Sequence, residues 1–410
     1  MSYINKIFEI SESYMVKDIG QEGVAEIRKR TAHMNRFGSN RVVEEFTDIY
    51  CDYIKERYQS DRKPSLMDRF IAKDTGKVKI VWGDCLDAMK SMRNESIHLM
   101  VTSPPYYNAR DYSQWKNIDE YLKDMQEIIK ESYRVLDNHR AWVFNVGDIT
   151  GNDLRHTKSV WGNRRIPLGA YFINIFEDAG FQFIDDFIWD KGQVESQRHK
   201  NGDTPHPFYQ YPMNCYEHIM VFFKHRRDET RYPCPVCGCL KTNGNAYSGV
   251  GVKSWECKNL DCFERSKSNR GKRFSLRSMM MDSLKVNKID AEYVKRWRRD
   301  IIPINPIIKI NSKGENTLGH TAPYPPAIPE FAVRMYSGEG DIVMDPFAGS
   351  FTSAIEACKL ERIGVGCEKQ KGMFQQSIEK NIKKHGLKFE SLQWKKKKKS
   401  KSQGFWEKCT

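Results

Sequence analysis

Long apolar runs are absent from this chain of 410 residues, and none approaches the length needed to cross a bilayer. The first residues also lack the basic start and apolar stretch of a secretory signal peptide. We therefore expect a cytoplasmic protein that makes no use of a membrane. The eleven cysteines would indicate disulfides in a small secreted chain, but here they indicate free thiols and a metal site.

Net charge is nearly absent from most of the chain, although the whole carries a formal +14. Residues 226–300 contain 18 Lys and Arg against 9 Asp and Glu, and residues 394–410 contain 7 against 1. Two basic segments beside a near-neutral body favour a polyanionic partner that is met at defined places, and nucleic acid fits best. A single lysine-rich run is more often a solvated surface.

Strand-like and helix-like patterns alternate along much of the chain, which predicts an α/β fold with a largely parallel sheet. Strands are predicted at 77–82, 97–102, 141–146, 183–189, 218–223, 341–345 and 362–367. Helices are predicted at 85–92, 117–136, 166–180, 327–336, 351–359 and 371–384. Residues 1–70 have helical spacing and predict an arm that packs on the rest or forms a homodimer contact, with DNA contact as the less favoured alternative.

Two stretches that are far apart in the chain carry the strongest signals of a site. Val101–Tyr107 and Ile342–Ser350 each begin as an apolar run of strand length and end abruptly in Pro or Gly. Each predicts a buried strand that leaves the sheet into a tight loop. Because open α/β sheets bind ligands at the carboxyl ends of their strands, we expect both loops to line one site.

These stretches also carry a family resemblance. Ser103-Pro104-Pro105-Tyr106 (the catalytic loop) resembles the catalytic loop of the DNA amino-methyltransferases, which methylate exocyclic amines of bases. Asp345-Pro346-Phe347-Ala348-Gly349-Ser350 (the cofactor loop) resembles their S-adenosylmethionine loop. The catalytic motif comes first, which is the circularly permuted order of the beta class. The resemblance covers about residues 77–225 and 316–385.

The resemblance implies a Rossmann-like, S-adenosylmethionine-dependent methyltransferase sheet that acts on double-stranded DNA. It also implies a place in a restriction–modification or related defence system, with a cognate restriction endonuclease as a partner. Cofactor contacts are implied for Thr102 and for three residues near the methionine part of the cofactor, which are His320, Thr321 and Ala322. Glu368 is expected to bind both ribose hydroxyls. Asp84 is expected at the adenine end, and it could equally cap the helix at 85–92.

The chemistry required of the catalytic loop is modest. The exocyclic nitrogen is a poor nucleophile because its lone pair is delocalised into the ring, so a protein helps by accepting hydrogen bonds from the amine and by aligning it with the methyl group. Ser103 Oγ and a carbonyl of the proline-rich loop are candidate acceptors, and Tyr106 offers an aromatic face to a flipped-out base. A serine at 103 favours cytosine N4 as the target, whereas an aspartate there is the usual adenine-N6 form.

Alternatives stay open on these residues. Adenine N6 is the first alternative. The second is a non-catalytic, zinc-dependent DNA-binding protein whose cofactor pocket is narrowed by Phe351, which stands where the family pattern often has a glycine; an RNA substrate is a weaker third. Cytosine-C5 transfer is excluded because it requires a cysteine nucleophile, usually in a Pro-Cys loop. The only such dipeptide, Pro233-Cys234, belongs to a metal-like pair.

Four cysteines predict a structural zinc site in the middle of the chain. Cys234 and Cys237 form one close pair, Cys257 and Cys262 form another, and 19 residues separate the pairs. Each pair suits a knuckle and the gap suits a hairpin, so a tetrahedral Zn²⁺ would have four thiolate ligands and no open position for water. Cys239 lies just past the first knuckle and is an alternative ligand.

The predicted organisation has five parts. They are a helical N-terminal arm (1–75), the catalytic half of a methyltransferase domain (76–225), an inserted target-recognition region with a zinc ribbon (226–315), the cofactor-binding half of that domain (316–388) and a basic tail (389–410). Arg296-Trp297-Arg298-Arg299 is the densest basic patch of the recognition region. The lysines of the tail would add salt-dependent affinity for DNA.

Overall fold

The structure, a computed structural model, describes residues 1–59, 63–108, 115–151, 164–192, 215–227, 229–247, 253–267, 270–284, 289–307 and 325–394. The helices within these residues are α1 (Tyr3–Thr31), α2 (Ser39–Gln59), α3 (Leu66–Ile71), α4 (Cys85–Ser91), α5 (Ile118–Val135), α6 (Leu168–Asp178), α7 (Phe263–Lys267), α8 (Leu276–Leu284), α9 (Ala291–Arg296), α10 (Ala327–Tyr336), α11 (Thr352–Lys359) and α12 (Lys371–Lys384). The strands are β1 (Val78–Trp82), β2 (Ile97–Thr102), β3 (Leu136–Val146), β4 (Ile149–Gly151), β5 (Arg164–Ile166), β6 (Phe181–Asp190), β7 (Tyr216–Lys224), β8 (Thr242–Tyr247), β9 (Lys253–Cys257), β10 (Arg273–Phe274), β11 (Ile301–Pro303), β12 (Ile342–Asp345), β13 (Ile363–Glu368) and β14 (Phe389–Gln393). None of these helices combines the length and the apolarity that a bilayer span requires.

One mixed sheet dominates the described part of the chain. Its nine strands follow the order β11-β6-β7-β3-β2-β12-β13-β1-β14. Neighbours from β3 to β14 run parallel, as do β11 and β6, whereas β7 is antiparallel to both β3 and β6. The predicted α/β class and the largely parallel sheet are confirmed. The reversed direction of β7 was not predicted, because apolar periodicity is the same in either direction.

The alternation of side chains along the strands divides the core between the two faces of this sheet. On one face, Met100 and Trp142 pack with residues of α4, α5 and α6. On the other face, Leu99, Val101 and Val143 pack with residues of α10. Central strands that are buried on both faces produce continuous apolar runs, which is why the sequence predicts them well. Because helices cover both faces, the ends of the strands remain as the place for a site.

The N-terminal helices and the cysteine-rich segment share one hydrophobic core. Trp255 and the clustered cysteines of this segment, which also contains the three-stranded sheet β10-β9-β8, are buried together with apolar side chains of α1 and α2. A polar contact joins the same parts, since the Leu240 N–H donates to Ser11 Oγ at 3.0 Å. The packing role predicted for residues 1–70 is therefore observed within the chain, and a dimer contact stays a prediction.

The last described strand lies where the basic tail was expected to begin. Residues 389–393 form β14, which pairs in parallel with β1. Phe389 packs half-buried against the core that contains α11 and α12. A five-residue strand at the edge of a sheet, with only Phe389 and Leu392 apolar, gives little periodic signal, and composition alone gives no sign of its backbone pairing. The run of lysines at 395–399 lies outside the described residues.

Candidate active site

The catalytic loop and the cofactor loop meet at one edge of the sheet. β2 and β12 are neighbouring parallel strands with Met100 paired to Met344, so the two loops leave the sheet side by side. The Thr102 hydroxyl at the end of β2 donates to Asp345 Oδ1 at the end of β12, with 2.5 Å between the oxygens. This hydrogen bond joins residues that are 243 positions apart. The carboxyl edge of an open sheet is also where α/β proteins bind ligands.

Asp345 is buried and fastens the start of the cofactor loop. Besides the contact with Thr102, the Ser353 hydroxyl donates to Oδ2 at 2.5 Å and the Phe347 N–H donates to Oδ1 at 2.9 Å. Burial raises the pKa of Asp345 to about 6, although these hydrogen bonds oppose the rise. Because its oxygens are taken up by donors of the chain, the carboxyl group braces β2, the loop and α11 against one another.

Asp345 should make the stability of the fold depend on pH. Its pKa is about 6 in the folded chain against an ordinary value of 3.8. Between these two values the folded chain holds the proton and the unfolded chain does not, so the free energy of unfolding falls as pH rises through this window. A shift of this size corresponds to about 3 kcal/mol. In the Asp345→Asn variant we expect this decline to disappear, because asparagine does not ionise. Urea unfolding of both proteins between pH 4 and pH 7 measures it, and a constant difference in unfolding free energy would contradict the assignment.

Two further acids lie at the same edge. β1, β13 and β12 are adjacent in the sheet, so their carboxyl ends present Asp84, Glu368 and Asp345 in a row. The Gln370 N–H donates to Glu368 Oε1 at 2.8 Å, and burial raises the pKa of the Glu368 carboxyl. Asp84 caps α4, since its Oδ1 accepts from two N–H groups of the first turn at 3.0 and 3.2 Å. The predicted cap is confirmed, and a cofactor contact of Asp84 stays a prediction.

Phe351 does not line the site, so the expectation that it narrows the cofactor pocket is wrong. Its backbone is left-handed, with φ 64° and ψ 22°, and its ring is fully buried near Trp82 with ring centroids 6.5 Å apart. The ring occupies the space where a side chain at position 366 would lie, which glycine leaves open. With this left-handed backbone, the Phe351 side chain points into the core.

Three contacts hold the catalytic loop at the end of β2. Ser103 Oγ lies 3.4 Å from the Tyr106 hydroxyl, and that hydroxyl donates to Glu217 Oε2 at 2.7 Å. From α5, the Tyr121 hydroxyl donates to the carbonyl oxygen of Pro105 at 2.9 Å. Tyr106 is half-buried and packs against the same core as Phe347 of the cofactor loop. The loop is therefore held at both its backbone and its tyrosine.

Sequence reasoning missed Glu217 and Tyr121 and reached only part of the site. Glu217 is an ordinary acid at the start of a strand, and Tyr121 occupies an apolar position of an amphipathic helix, so neither carries a motif. The three residues predicted near the methionine part of the cofactor lie outside the described residues, and they are His320, Thr321 and Ala322.

The four predicted cysteines form a compact group in the core shared with α1 and α2. The sulfur atoms of Cys234, Cys237, Cys257 and Cys262 all lie within 4.8 Å of one another, and all four residues are buried. A tetrahedral zinc–thiolate centre has sulfurs about 3.8 Å apart, and Cys237 Sγ lies 3.7 Å from Cys257 Sγ. Hydrogen bonds from neighbouring thiols, Cys234 first, lower the pKa of Cys237. The group could hold a metal ion. Cys239 stands beside it and donates to the Cys237 carbonyl oxygen at 3.6 Å.

The fold and the paired loops define an α/β protein with one candidate active site at the carboxyl edge of its sheet. Residues 97–379 match the family model of N6 and N4 methyltransferases, which is described as DNA methylase. The match covers more than half of the chain. The chain belongs to this family of DNA methylases.

Individual relatives are similar to different extents. The Type II beta methyltransferase M.BslI from Bacillus sp. (strain NEB-606) is 36% identical over 333 residues, which are 81% of this chain and 30% of that protein. The Type II methyltransferase M.ScaI from Streptomyces caespitosus is 22% identical over 298 residues, which are 72% of this chain and 78% of that protein. A putative DNA modification methylase from Thermus thermophilus, solved with S-adenosyl-L-methionine, is 22% identical with a TM-score of 0.48, over 77% of this chain and 99% of that chain. This chain thus spans less than a third of the length of M.BslI.

Proposed function

We propose that this protein transfers a methyl group from S-adenosylmethionine to the exocyclic N4 of a cytosine that is flipped out of double-stranded DNA. The observation that carries the proposal is the 2.5 Å hydrogen bond between Thr102 and Asp345, which holds the catalytic loop beside the cofactor loop. A methyl donor on one loop and an amine on the other would be aligned for direct transfer. Family membership and the methyltransferase names of the relatives support DNA as the substrate.

The residues of the chain bind and orient the reacting groups. S-adenosylmethionine supplies an electrophilic methyl group when it is bound. Ser103 Oγ accepts a hydrogen bond from the amine and so turns its lone pair toward the methyl group, while the Tyr106 ring stacks on the flipped base. Transfer would break the methyl carbon–sulfur bond, form the nitrogen–carbon bond and leave S-adenosylhomocysteine, and the proton of the methylated amine would pass to solvent.

Cytosine N4 is favoured over adenine N6 because position 103 carries a hydroxyl group instead of a carboxylate. The test is to incubate the protein with S-adenosylmethionine and duplex DNA, digest the DNA to nucleosides and identify the methylated base by mass spectrometry. N4-methylcytosine is the expected product. N6-methyladenine would select the alternative target, and no methylated amine from a protein that binds S-adenosylmethionine would overturn the proposed activity.

The residues at the sheet edge fit S-adenosylmethionine. Glu368 is the last residue of β13, the strand next to the one that ends in the cofactor loop, which is where a carboxylate binds the two ribose hydroxyls of nucleoside cofactors in open α/β folds. Gly349 has φ 48°, a conformation that glycine adopts readily and that lets the loop backbone approach a ligand closely. Phe347, within the cofactor loop, is half-buried against the core, and we assign it a packing contact with the cofactor.

Glu368→Gln is expected to weaken the binding of S-adenosylmethionine by about 10- to 100-fold, because a charge-assisted pair of hydrogen bonds is reduced to a neutral one. Titration calorimetry measures the affinity. Glu361→Gln is a matched control, since Glu361 lies before the same strand at the opposite edge and pairs with Lys77 on the surface. The control should bind like wild type. Equal affinity in the Glu368 variant would remove Glu368 from the cofactor site.

A non-catalytic DNA-binding protein is the candidate function of another class. It depended on Phe351 crowding the cofactor, and the Phe351 ring is instead fully buried in the core shared by β1, α11 and α12. Calorimetry with S-adenosylmethionine separates the two functions, because a protein that only binds DNA should release no heat of cofactor binding.

We also propose that the cysteine group holds a structural Zn²⁺ as part of a zinc ribbon and that residues 226–315 read the target sequence. Four thiolate donors at tetrahedral spacing favour zinc and leave no position for water. In the basic patch, Trp297 is buried and stacks on Phe331 with ring centroids 3.9 Å apart, which anchors the arginines on the surface. The exposed residues around it are Arg296, Arg298 and Arg299. Such guanidinium groups suit phosphate or base contacts.

The remaining parts of the proposal follow from the family. The catalytic loop precedes the cofactor loop in the chain, which supports a circularly permuted methyltransferase domain, and the relative M.BslI is named a Type II beta methyltransferase. A restriction–modification role, a companion endonuclease and a cytoplasmic location are proposals that rest on the Type II names of the relatives.

A further inference from the structure

Glu217 lies at the candidate active site although no motif marks it. It is the second residue of β7, and because β7 runs antiparallel to β3 and β6, its first residues reach the sheet edge where the catalytic loop lies. Glu217 Oε2 accepts from the Tyr106 phenol at 2.7 Å, and Oε1 pairs with the Lys191 ammonium at 2.5 Å. Each carboxylate oxygen therefore has a fixed partner.

Gly147, which follows β3, leaves space for this arrangement. A Cβ atom at this position would lie 2.8 Å from Glu217 Cγ, closer than side-chain contacts allow. Glu217 in turn accepts from the Tyr106 phenol. The acid and the phenol are therefore seated against the end of a central strand, and the geometry of the pair is set by the sheet.

The chemistry of Glu217 determines which group is the donor in the hydrogen bonds between Glu217, Tyr106 and Ser103. A carboxylate accepts and does not donate, so the Tyr106 hydroxyl must give its single proton to Glu217. Burial, followed by the Glu217 charge, raises the pKa of Tyr106 well above its ordinary value, which keeps that proton on the phenol. The phenol oxygen then only accepts from its other neighbours, and Ser103 Oγ lies 3.4 Å away. The Ser103 proton therefore points to Tyr106.

We propose that Glu217 is a positioning residue that acts through Tyr106 to hold Ser103 as a hydrogen-bond acceptor for the substrate amine. The inference rests on the proposed function, in which the amine donates to Ser103. A hydroxyl has one proton to donate and two lone pairs that accept, so committing the proton to Tyr106 leaves the lone pairs for the amine. Lys191 holds Glu217 in place by pairing with its other oxygen.

Glu217→Gln is the test, since it keeps the size of the side chain but replaces one acceptor oxygen with a donor. We expect kcat for DNA methylation to fall about 10-fold, with the KM for S-adenosylmethionine and the melting temperature unchanged. Tyr106→Phe keeps the aromatic face but removes the hydroxyl that joins Glu217 to Ser103, so it should lower kcat by a similar factor. In the double variant, kcat should be no lower than in the more impaired of the two single variants. Glu361→Gln, at the opposite edge of the sheet, is the control and should keep the wild-type kcat.

Three outcomes would overturn the proposal, and the first two concern kcat. One is an unchanged kcat in Glu217→Gln, and the other is a double variant whose loss equals the product of the two single losses. A lowered melting temperature with a raised KM would assign Glu217 a structural role only, which also contradicts the proposal. Failure of the proposed function looks different, because the wild-type protein itself would then methylate no exocyclic amine.

Discussion

Replacing Ser103 with alanine is expected to lower kcat for DNA methylation by about 100-fold, while the KM for S-adenosylmethionine changes little. The variant removes the acceptor that aligns the amine in the transition state and leaves the cofactor loop untouched. The fold should tolerate the change, because Ser103 is half-buried in a loop and its hydroxyl lies near Tyr106 instead of supporting the core. Transfer of a labelled methyl group to duplex DNA under steady-state conditions measures both constants.

Ser96→Ala is the matched control for this prediction. Ser96 directly precedes β2 as Ser103 directly follows it, so the two serines lie at opposite ends of one strand. The Ser96 hydroxyl donates to the carbonyl oxygen of Arg93 at 3.0 Å, far from the two loops. We expect wild-type kcat from this control. A Ser103→Ala protein that also keeps its kcat would remove Ser103 from the mechanism.

Cys237→Ser is expected to abolish zinc binding and to lower the melting temperature by roughly 10 °C or more, since structural zinc contributes several kcal/mol to folding. The loss of protection against hydrogen exchange should extend to α1 and α2, because the cysteines and these helices are buried in one core. Metal analysis of purified protein gives the zinc content, and hydrogen exchange shows which elements lose protection. A loss of protection that is confined to β8–β10 would contradict the coupling to the N-terminal helices.

Cys239→Ser distinguishes the two ligand sets that the sequence leaves open. Cys239 donates to a backbone carbonyl and lies outside the group of four sulfurs that are within 4.8 Å of one another. We expect this variant to keep one zinc ion per chain. A Cys239→Ser protein without zinc would make Cys239 a ligand, and a wild-type protein without any metal would end the zinc proposal.

Local pattern was sufficient to predict most elements of the central sheet. The predicted strand at 97–102 and the predicted helices at 327–336 and 371–384 have the observed bounds. Strands buried on both faces and helices with one apolar face leave strong periodic signals that depend only on neighbours in sequence. The meeting of the two loops was also predictable, because parallel strands of one open sheet bring their carboxyl ends to one edge.

What the sequence did not predict depends on contacts between distant parts of the chain. The direction of β7 decides that Glu217 reaches the active edge, and no periodicity reports direction. The position of the Phe351 ring depends on the left-handed backbone at 351 and on the space left by Gly366. The common core of α1, α2 and the cysteines joins segments more than 200 residues apart, which composition cannot show.

The most direct test of the shared site is a structure of the protein bound to duplex DNA and an unreactive analogue of S-adenosylmethionine. We predict a cytosine swung out of the duplex and stacked on Tyr106, with its amine on Ser103 and with the analogue between Phe347 and Glu368. A base that stays stacked in the duplex, or an analogue bound away from the ends of β2 and β12, would contradict the central claim.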